Sequence, residues 1–219
     1  MTDFAAQRAR MVEHQLRRRG IEDERVLAAM AAVPRERFVP DGVRAGAYND
    51  SALPIGREQT ISQPWVVAAI CEALRLEGDE KVLEVGTGSG YSAAVLARLA
   101  SQVISIERVP ELGELARQKL GELGIGNVEV FVEDGSRGHP EEAPYAAIAV
   151  HAATPEAPHS LLAELATNGR LVVPIATGSA DLLVAFIREN GDLRQETIGP
   201  CRFVPLIGAE GFNPPEEAQ

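Results

Sequence analysis

The sequence has almost no cysteine: among 219 residues only Cys71 and Cys201, 130 positions apart, carry thiols. That spacing suits neither a zinc site nor a disulfide framework, so both read as buried thiols. Long apolar runs are missing too. Nothing approaches the ~20 residues of a membrane-spanning helix, and the first residues lack the pattern of a secretory signal. The expected location is cytoplasmic, with no membrane partner. Basic residues are short, 21 against 32 acidic ones, for a formal net charge of −11. A strongly acidic protein gains little from a polyanion, which disfavours a nucleic-acid surface. His14, His139, His151 and His159 show no paired or carboxylate-linked spacing, so no metal site is expected. The length suits one sizeable core with an added segment better than two domains, and a monomer is expected.

What the chain does have is a strand, a glycine loop and a helix in succession. Val82, Leu83 and Val85 read as a short buried strand; Gly86-Thr87-Gly88-Ser89-Gly90 follows, and an apolar, Ala-rich helix is expected over residues 91–100. Backbone N–H groups of such a loop can contact the polar part of a ligand, and the helix dipole points the same way. A dinucleotide fingerprint would place its third glycine where Tyr91 stands. Here the loop is preceded by Glu84. A second strand, 103–107, ends in Glu107, 17 residues after Gly90, where a carboxylate can meet a ribose diol. Glu84 to Gly90 together with Glu107 resembles the S-adenosylmethionine site of Rossmann-like methyltransferases. The competing reading of these residues is a tight turn with an exposed Glu107.

Residues 3–19 read as one amphipathic helix stopped by Gly20, with Arg17, Arg18 and Arg19 a solvated cluster in its last turn rather than a basic patch. Asp23 caps a second helix over 24–32. Residues 34–63 are irregular and rich in turn formers, and so long a stretch inside a compact domain is usually functional. Pro64 opens a helix to about Leu74, which leaves Ser62 as either a helix cap, the commoner use, or a catalytic hydroxyl. Further strands are expected over 127–132, 146–150 and 170–175, helices over 110–123 and 158–166, and a hairpin over 182–198 around Asn190-Gly191. This alternation specifies an α/β fold, a mostly parallel seven-stranded sheet with helices on both faces and an N-terminal helical extension. The expected division is a helical extension and covering segment over 1–64, a Rossmann-like core over 65–208 and a poorly ordered tail over 209–219.

A closer resemblance lies in longer motifs. Residues 52–56 (ALPIG), 59–64 (QTISQP), 82–91 (VLEVGTGSGY), 109–112 (VPEL) and 202–206 (RFVPL), with 11–13 (MVE) and 33–40 (VPRERFVP), resemble protein-L-isoaspartate O-methyltransferases from about residue 8 to 208. The resemblance makes Ser62 the active-site serine and reverses the preference for a cap. It implies that Gly86, Thr87, Gly88, Ser89 and Gly90 line the methionine and ribose portion of S-adenosyl-L-methionine, whose product is S-adenosyl-L-homocysteine. It further implies that Glu107 takes the ribose hydroxyls, that Asp134 and Gly135 border the adenine, and that Gln59, Thr60, Ile61 and Ser62 close over the cofactor beside the substrate. Departures from the family pattern stand at Glu133, expected at the adenine rim, and at Ala146 and His151, expected at the strand end facing the cleft.

The implied reaction needs no general base. An isoaspartyl residue exposes an α-carboxylate with a pKa of ~3.3–3.7, already ionised at neutral pH. Its attack on a sulfonium methyl neutralises two charges, so positioning and exclusion of water are the available levers. Ser62 is then expected to orient the carboxylate through a hydrogen bond. The methyl ester closes to a succinimide that reopens partly as normal aspartate, which repairs the protein. Two other readings stay open: a methyltransferase for a small molecule, a dedicated peptide or RNA, and a non-catalytic cofactor-binding module.

Overall fold

In the computed structural model, which describes residues 3–214, nine strands and six α-helices alternate much as expected. Helix α1 (Phe4–Met11) starts at Asp3, whose side chain accepts the Ala6 N–H at 2.9 Å. The single helix expected over 3–19 keeps its path but changes pitch, with a π turn over Val12–Leu16 and a 3₁₀ turn over Arg17–Arg19 before Gly20 at φ +92°. Burial explains the π turn. Met11 and Leu16 are both wholly buried, and α pitch would set them about 140° apart, whereas i→i+5 bonding returns Leu16 toward the face of Met11. Arg17, Arg18 and Arg19 pair with Glu13, Glu24 and Asp50.

Helix α2 (Glu24–Ala32) lies beside α3 (Pro64–Leu74), and the two are joined through Glu72, which accepts the Glu22 and Asp23 N–H groups at 2.7 and 2.8 Å. Between them, the stretch expected to be irregular contains a small antiparallel hairpin, β1 (Leu53–Gly56) and β2 (Gln59–Ile61). Its turn residues Arg57 and Glu58 both take positive φ, 51° and 58°. Such a turn ordinarily carries Asn-Gly, and two long charged side chains in its place hide the hairpin from sequence.

The main sheet comprises β3 (Lys81–Val85), β4 (Gln102–Glu107), β5 (Val128–Val132), β6 (Tyr145–Val150), β7 (Leu165–Ala176), β8 (Asp181–Glu189) and β9 (Asp192–Cys201), in the spatial order β5-β4-β3-β6-β7-β8-β9. The first five pair in parallel; β8 and β9 add the antiparallel edge. Side chains alternate between two cores. Val82, Val103, Ala147, Ala149 and Val172 face the packing of α1 to α5. Leu83, Val85, Ile104, Ile106, Ile148 and Val150 face the opposite side, covered by Leu161 of the short α6 (His159–Ala163) and by Leu206. The two-residue period of a strand produces this division.

Several boundaries shift for local reasons. Helix α4 (Tyr91–Leu96) ends four residues early, and Asn127 Nδ2 donates to the carbonyls of Ala97 at 2.9 Å and Ala100 at 3.2 Å, which are left free there. Helix α5 (Pro110–Glu122) runs nearly as expected. Strand β7 begins five residues early because Asn168, at φ +63°, and Gly169 form an irregularity that the strand passes through before Ala147 pairs with Arg170. Of the tail expected over 209–219, residues 209–212 are bonded to the rest of the chain. Phe212 N–H donates to Leu206 O at 2.7 Å, Ala209 N–H to Asp134 Oδ2 at 2.8 Å, and the Glu210 carboxylate accepts the Ser160 N–H at 3.0 Å. These bonds tie 208–212 to the core, and residues 215–219 lie outside the described part.

Asp23 Oδ1 accepts the N–H groups of Arg25 at 2.8 Å and Val26 at 3.3 Å. Asp23→Ala should therefore lower stability by about 1 kcal/mol, or about 2–4 °C in Tm for a chain of this size. Urea unfolding checks this, and an unchanged midpoint would show the cap to be idle.

Candidate active site

The strand order reverses between β3 and β6, and in open α/β sheets ligands bind at such a point, beyond the carboxyl ends of the strands. A cleft opens there with about 850 Å³ of space including its open mouth. Strand ends supply its floor: Val85 to Ser89 after β3, Ile106 to Val109 around the end of β4, Gly135 after β5, and His151 and Ala152 after β6. Two outer segments supply its walls, Gln59 to Ser62 from the hairpin side and Val204 to Ile207 from the C-terminal side. The second wall is held by paired backbone bonds, Ala153 N–H to Val204 O at 2.8 Å and Leu206 N–H to Ala153 O at 2.7 Å.

Gly86, Gly88 and Gly90 take φ of +93°, +53° and +87°, so all three alternate glycines occupy the left-handed region. The loop is pinned from the neighbouring strand. Ile106 O accepts the N–H of Gly86 at 2.8 Å and of Thr87 at 3.2 Å, and Glu107 Oε2 accepts the Gly88 N–H at 2.8 Å. Glu107 Oε1 takes the Val109 N–H at 2.9 Å, which orients the carboxylate from both sides. At Gly135 a Cβ would stand 2.6 Å from Val85 Cγ1, so no side chain fits there.

Ser62 is not a helix cap. The N-cap of α3 is Gln63, which makes no side-chain cap bond, and Ser62 lies one residue outside it on the cleft wall. Its hydroxyl bonds no other group among the described residues.

Of the residues expected at the cofactor, Gln59, Thr60, Ile61, Ser62, Gly86, Thr87, Gly88, Ser89, Glu107 and Gly135 come together in this cleft. Two do not line it. Gly90 is the N-cap of α4 and faces Ala116, where a Cβ would come within 3.2 Å. Asp134 accepts from Ser136 and Ala209, which anchors the returning chain. Of the segment 202–206, only Val204, Pro205 and Leu206 reach the cleft. His151 faces it as expected, whereas Ala146 sits at the far end of β6 and Glu133 is turned toward His139 at 3.2 Å.

Sequence reasoning missed the polar floor beneath the loop. His151 Nε2 lies 2.7 Å from Ser92 Oγ and 3.5 Å from Glu84 Oε1, while Ser105 Oγ donates to Glu84 Oε2 and also contacts Thr87 Oγ1. Glu84 is wholly buried, and burial raises its pKa from 4.5 to about 8; burial lowers that of His151 from 6.5 to about 4. Both are neutral near pH 7, so the floor adds no formal charge to the cleft. Glu84 was visible as the acid before the glycines, but its neutrality depends on burial that no local pattern records.

A family model described as protein-L-isoaspartate(D-aspartate) O-methyltransferase matches residues 6–211. The chain belongs to the protein-L-isoaspartate O-methyltransferase family. A relative of that name from Rhodopseudomonas palustris (strain HaA2) is 55% identical over 213 residues, which cover 96% of this chain and 87% of that one. One from Methanoculleus marisnigri is 48% identical over 206 residues, 94% of each chain. A solved protein-L-isoaspartate O-methyltransferase superposes with a TM-score of 0.82 at 30% identity, covering 93% of this chain and 67% of that one. A Plasmodium falciparum protein of the same description, in complex with S-adenosyl-L-homocysteine, gives 0.81 at 25% identity, covering 95% of this chain and all of that one. The protein has the class I methyltransferase fold and the family's dependence on S-adenosylmethionine. Its own residues fit such a cofactor: a glycine loop open to close approach and an oriented carboxylate at the end of the adjoining strand, both lining one cleft.

The two buried groups give opposite slopes of stability with pH. A raised carboxyl pKa means that the folded state holds a proton the unfolded state has lost, so Glu84 costs stability as pH rises from 4.5 to about 8. His151, with a lowered pKa, costs stability as pH falls from 6.5 to about 4. Between 4.5 and 6.5 the slopes cancel. Stability should fall by about 2 kcal/mol between pH 6.5 and 8, and Glu84→Gln should abolish that fall. Parallel urea titrations of both proteins at pH 6.5 and 8.5 decide it, and identical pH dependence would show Glu84 to be ionised when buried.

Proposed function

We infer that this protein transfers a methyl group from S-adenosyl-L-methionine to the free α-carboxylate of L-isoaspartyl residues in damaged proteins and peptides, the first step of repair through a succinimide. The observation that carries the reading at this site is a cleft with a free hydroxyl and no free base. Both Glu107 oxygens accept backbone N–H groups, His151 Nε2 is engaged by Ser92, and the Tyr91 hydroxyl is turned to Met30 Sδ at 3.6 Å. An alcohol or amine acceptor would need a proton removed; a carboxylate does not.

The cofactor supplies an electrophilic methyl group on a sulfonium. The chain supplies position. Gly86 to Ser89 present backbone to the methionine and ribose portion, and the Glu107 carboxylate, held by Gly88 and Val109, keeps lone pairs for the ribose hydroxyls. Gly135 borders the adenine end, where only hydrogen fits. Ser62 donates its hydroxyl to the acceptor carboxylate and sets its direction. Gln59 to Ser62 and Val204 to Ile207 close the cleft from two sides and exclude water, which would otherwise stabilise the separate charges more than the transition state. Asp134 and Gly90 act one layer behind, on the conformation of the walls.

The walls take an extended peptide and read its main chain, so that damage in varied surroundings is accepted. We read the protein as a cytoplasmic monomer without a nucleic-acid partner. No helix among the described residues is long and apolar enough to cross a membrane, the basic run 17–19 is spent on ion pairs, and the exposed large apolar side chains are divided between α5 and β5 (Leu115, Val132) and β8 and β9 (Leu182, Leu193).

Ser62→Ala should slow turnover ~10²-fold or more and leave cofactor affinity nearly unchanged, because a positioning contact acts mainly in the transition state. Normal turnover of a folded variant would remove Ser62 from the reaction. On matched peptides the isoaspartyl member should be methylated ~10²-fold faster than the aspartyl one, whose carboxylate sits one methylene farther from the main chain, and the product should lose its methyl group in mild alkali. Equal rates would refute the repair reading, and activity confined to one flanking sequence would point to a dedicated peptide methyltransferase.

A further inference from the structure

Arg35 is the bulkiest of the wholly buried side chains, and none of the described carboxylates pairs with it. A buried cation without a counter-ion is a costly arrangement, so what holds the guanidinium matters. Its Nε donates to Ala47 O at 2.8 Å, its Nη2 donates to Ser62 O at 2.8 Å, and its plane lies over the Tyr91 ring with 4.8 Å from Cζ to the centroid. Nη1 is buried without a partner. The three segments so gathered are the irregular stretch before the hairpin, the wall residue Ser62 and the residue that follows the glycine loop. Tyr91 is itself fixed, edge-on to Phe38 and bonded to Met30.

Ser62 lies beyond the end of β2 and before α3, so no ladder bond sets its backbone. Its carbonyl has one protein donor, and that donor is rigid: a planar fork whose other bond and stacking face are both occupied. Fixing the carbonyl fixes the plane of the Ser62–Gln63 peptide and so restricts the ψ of Ser62, which limits where its Cβ and hydroxyl can stand.

We propose that Arg35 is a positioning residue for methyl transfer, holding the Ser62 main chain against the Tyr91 wall so that the Ser62 hydroxyl meets the acceptor carboxylate in one orientation. This rests on the role given to Ser62 above. Lysine at 35 keeps the charge but loses the fork. Glutamine loses the charge and can serve only one of the two carbonyls at the same geometry.

The test compares Arg35→Lys, Arg35→Gln, Ser62→Ala and the Arg35→Lys/Ser62→Ala double variant, each assayed for cofactor affinity by calorimetry and for kcat and KM on an isoaspartyl peptide. In whichever Arg35 variant keeps wild-type cofactor affinity within about twofold, kcat should fall at least ~10-fold with a smaller change in KM. The double variant should be no slower than Ser62→Ala alone, since Arg35 acts through that residue. Losses that multiply in the double variant, or a kcat loss matched by an equal loss of cofactor affinity in both Arg35 variants, overturn the proposal. A normal rate for Arg35→Lys with a slow Ser62→Ala overturns it and leaves the Ser62 role standing. A normal rate for Ser62→Ala overturns both.

Discussion

The structure depends on one bond between neighbouring strands: the carboxylate that ends β4 accepts an N–H from the glycine loop that ends β3. Gly86, Gly88 and Gly90 all sit at positive φ, a path with a high entropy cost and few internal bonds. Glu107 and the Ile106 carbonyl supply what the loop cannot supply for itself. Parallel pairing of β3 with β4, Val85 opposite Ile106, places donor and acceptor at the same height. Register in the sheet therefore sets the shape of the cradle formed by the glycine loop, and the residue proposed to meet the ribose also braces it.

Below that cradle the chemistry is one of removed charge. Glu84 and His151 share a buried floor with Ser92, Ser105 and Thr87, and both titratable groups are neutral near pH 7. In a cleft proposed to bring a cation and a carboxylate together, an ionised floor would favour one partner before reaction. The Ser62 hydroxyl, proposed to orient the acceptor, stands on the cleft wall.

The site is also a meeting of distant chain segments. Walls come from residues 59–62 and 204–207, and the second wall is locked by backbone bonds to Ala153 and continued by the 208–212 return, which Asp134 and Ser136 anchor. The family resemblance assigns Asp134 to the adenine border, and in the structure its carboxylate holds the chain that shapes the rim.

Period-two and period-3.6 patterns made the alternation of strands and helices legible, because each element buries its own face and records that in its own residues: Val82, Leu83 and Val85 for β3, Asp23 for the α2 cap, Asn190-Gly191 for the last hairpin. The glycine spacing and Glu107 made the tight loop at the strand ends legible for the same reason, since steric room and strand register are local. The β1–β2 hairpin was hidden because Arg57 and Glu58 adopt φ values their chemistry does not announce. The early end of α4 turned on Asn127, 30 residues away, and the neutrality of Glu84 on the packing that buries it. Arg35 gives no signal in sequence beyond its place in a motif, and its burial exists only once Ala47, Ser62 and Tyr91 converge. The sequence by itself determined the elements of the main sheet, their order and the glycine loop, because these follow from side chains and their near neighbours. Only the tertiary structure decided which polar groups are buried, which are charged and which way Ser62 faces, because those depend on contacts between residues that the chain keeps far apart.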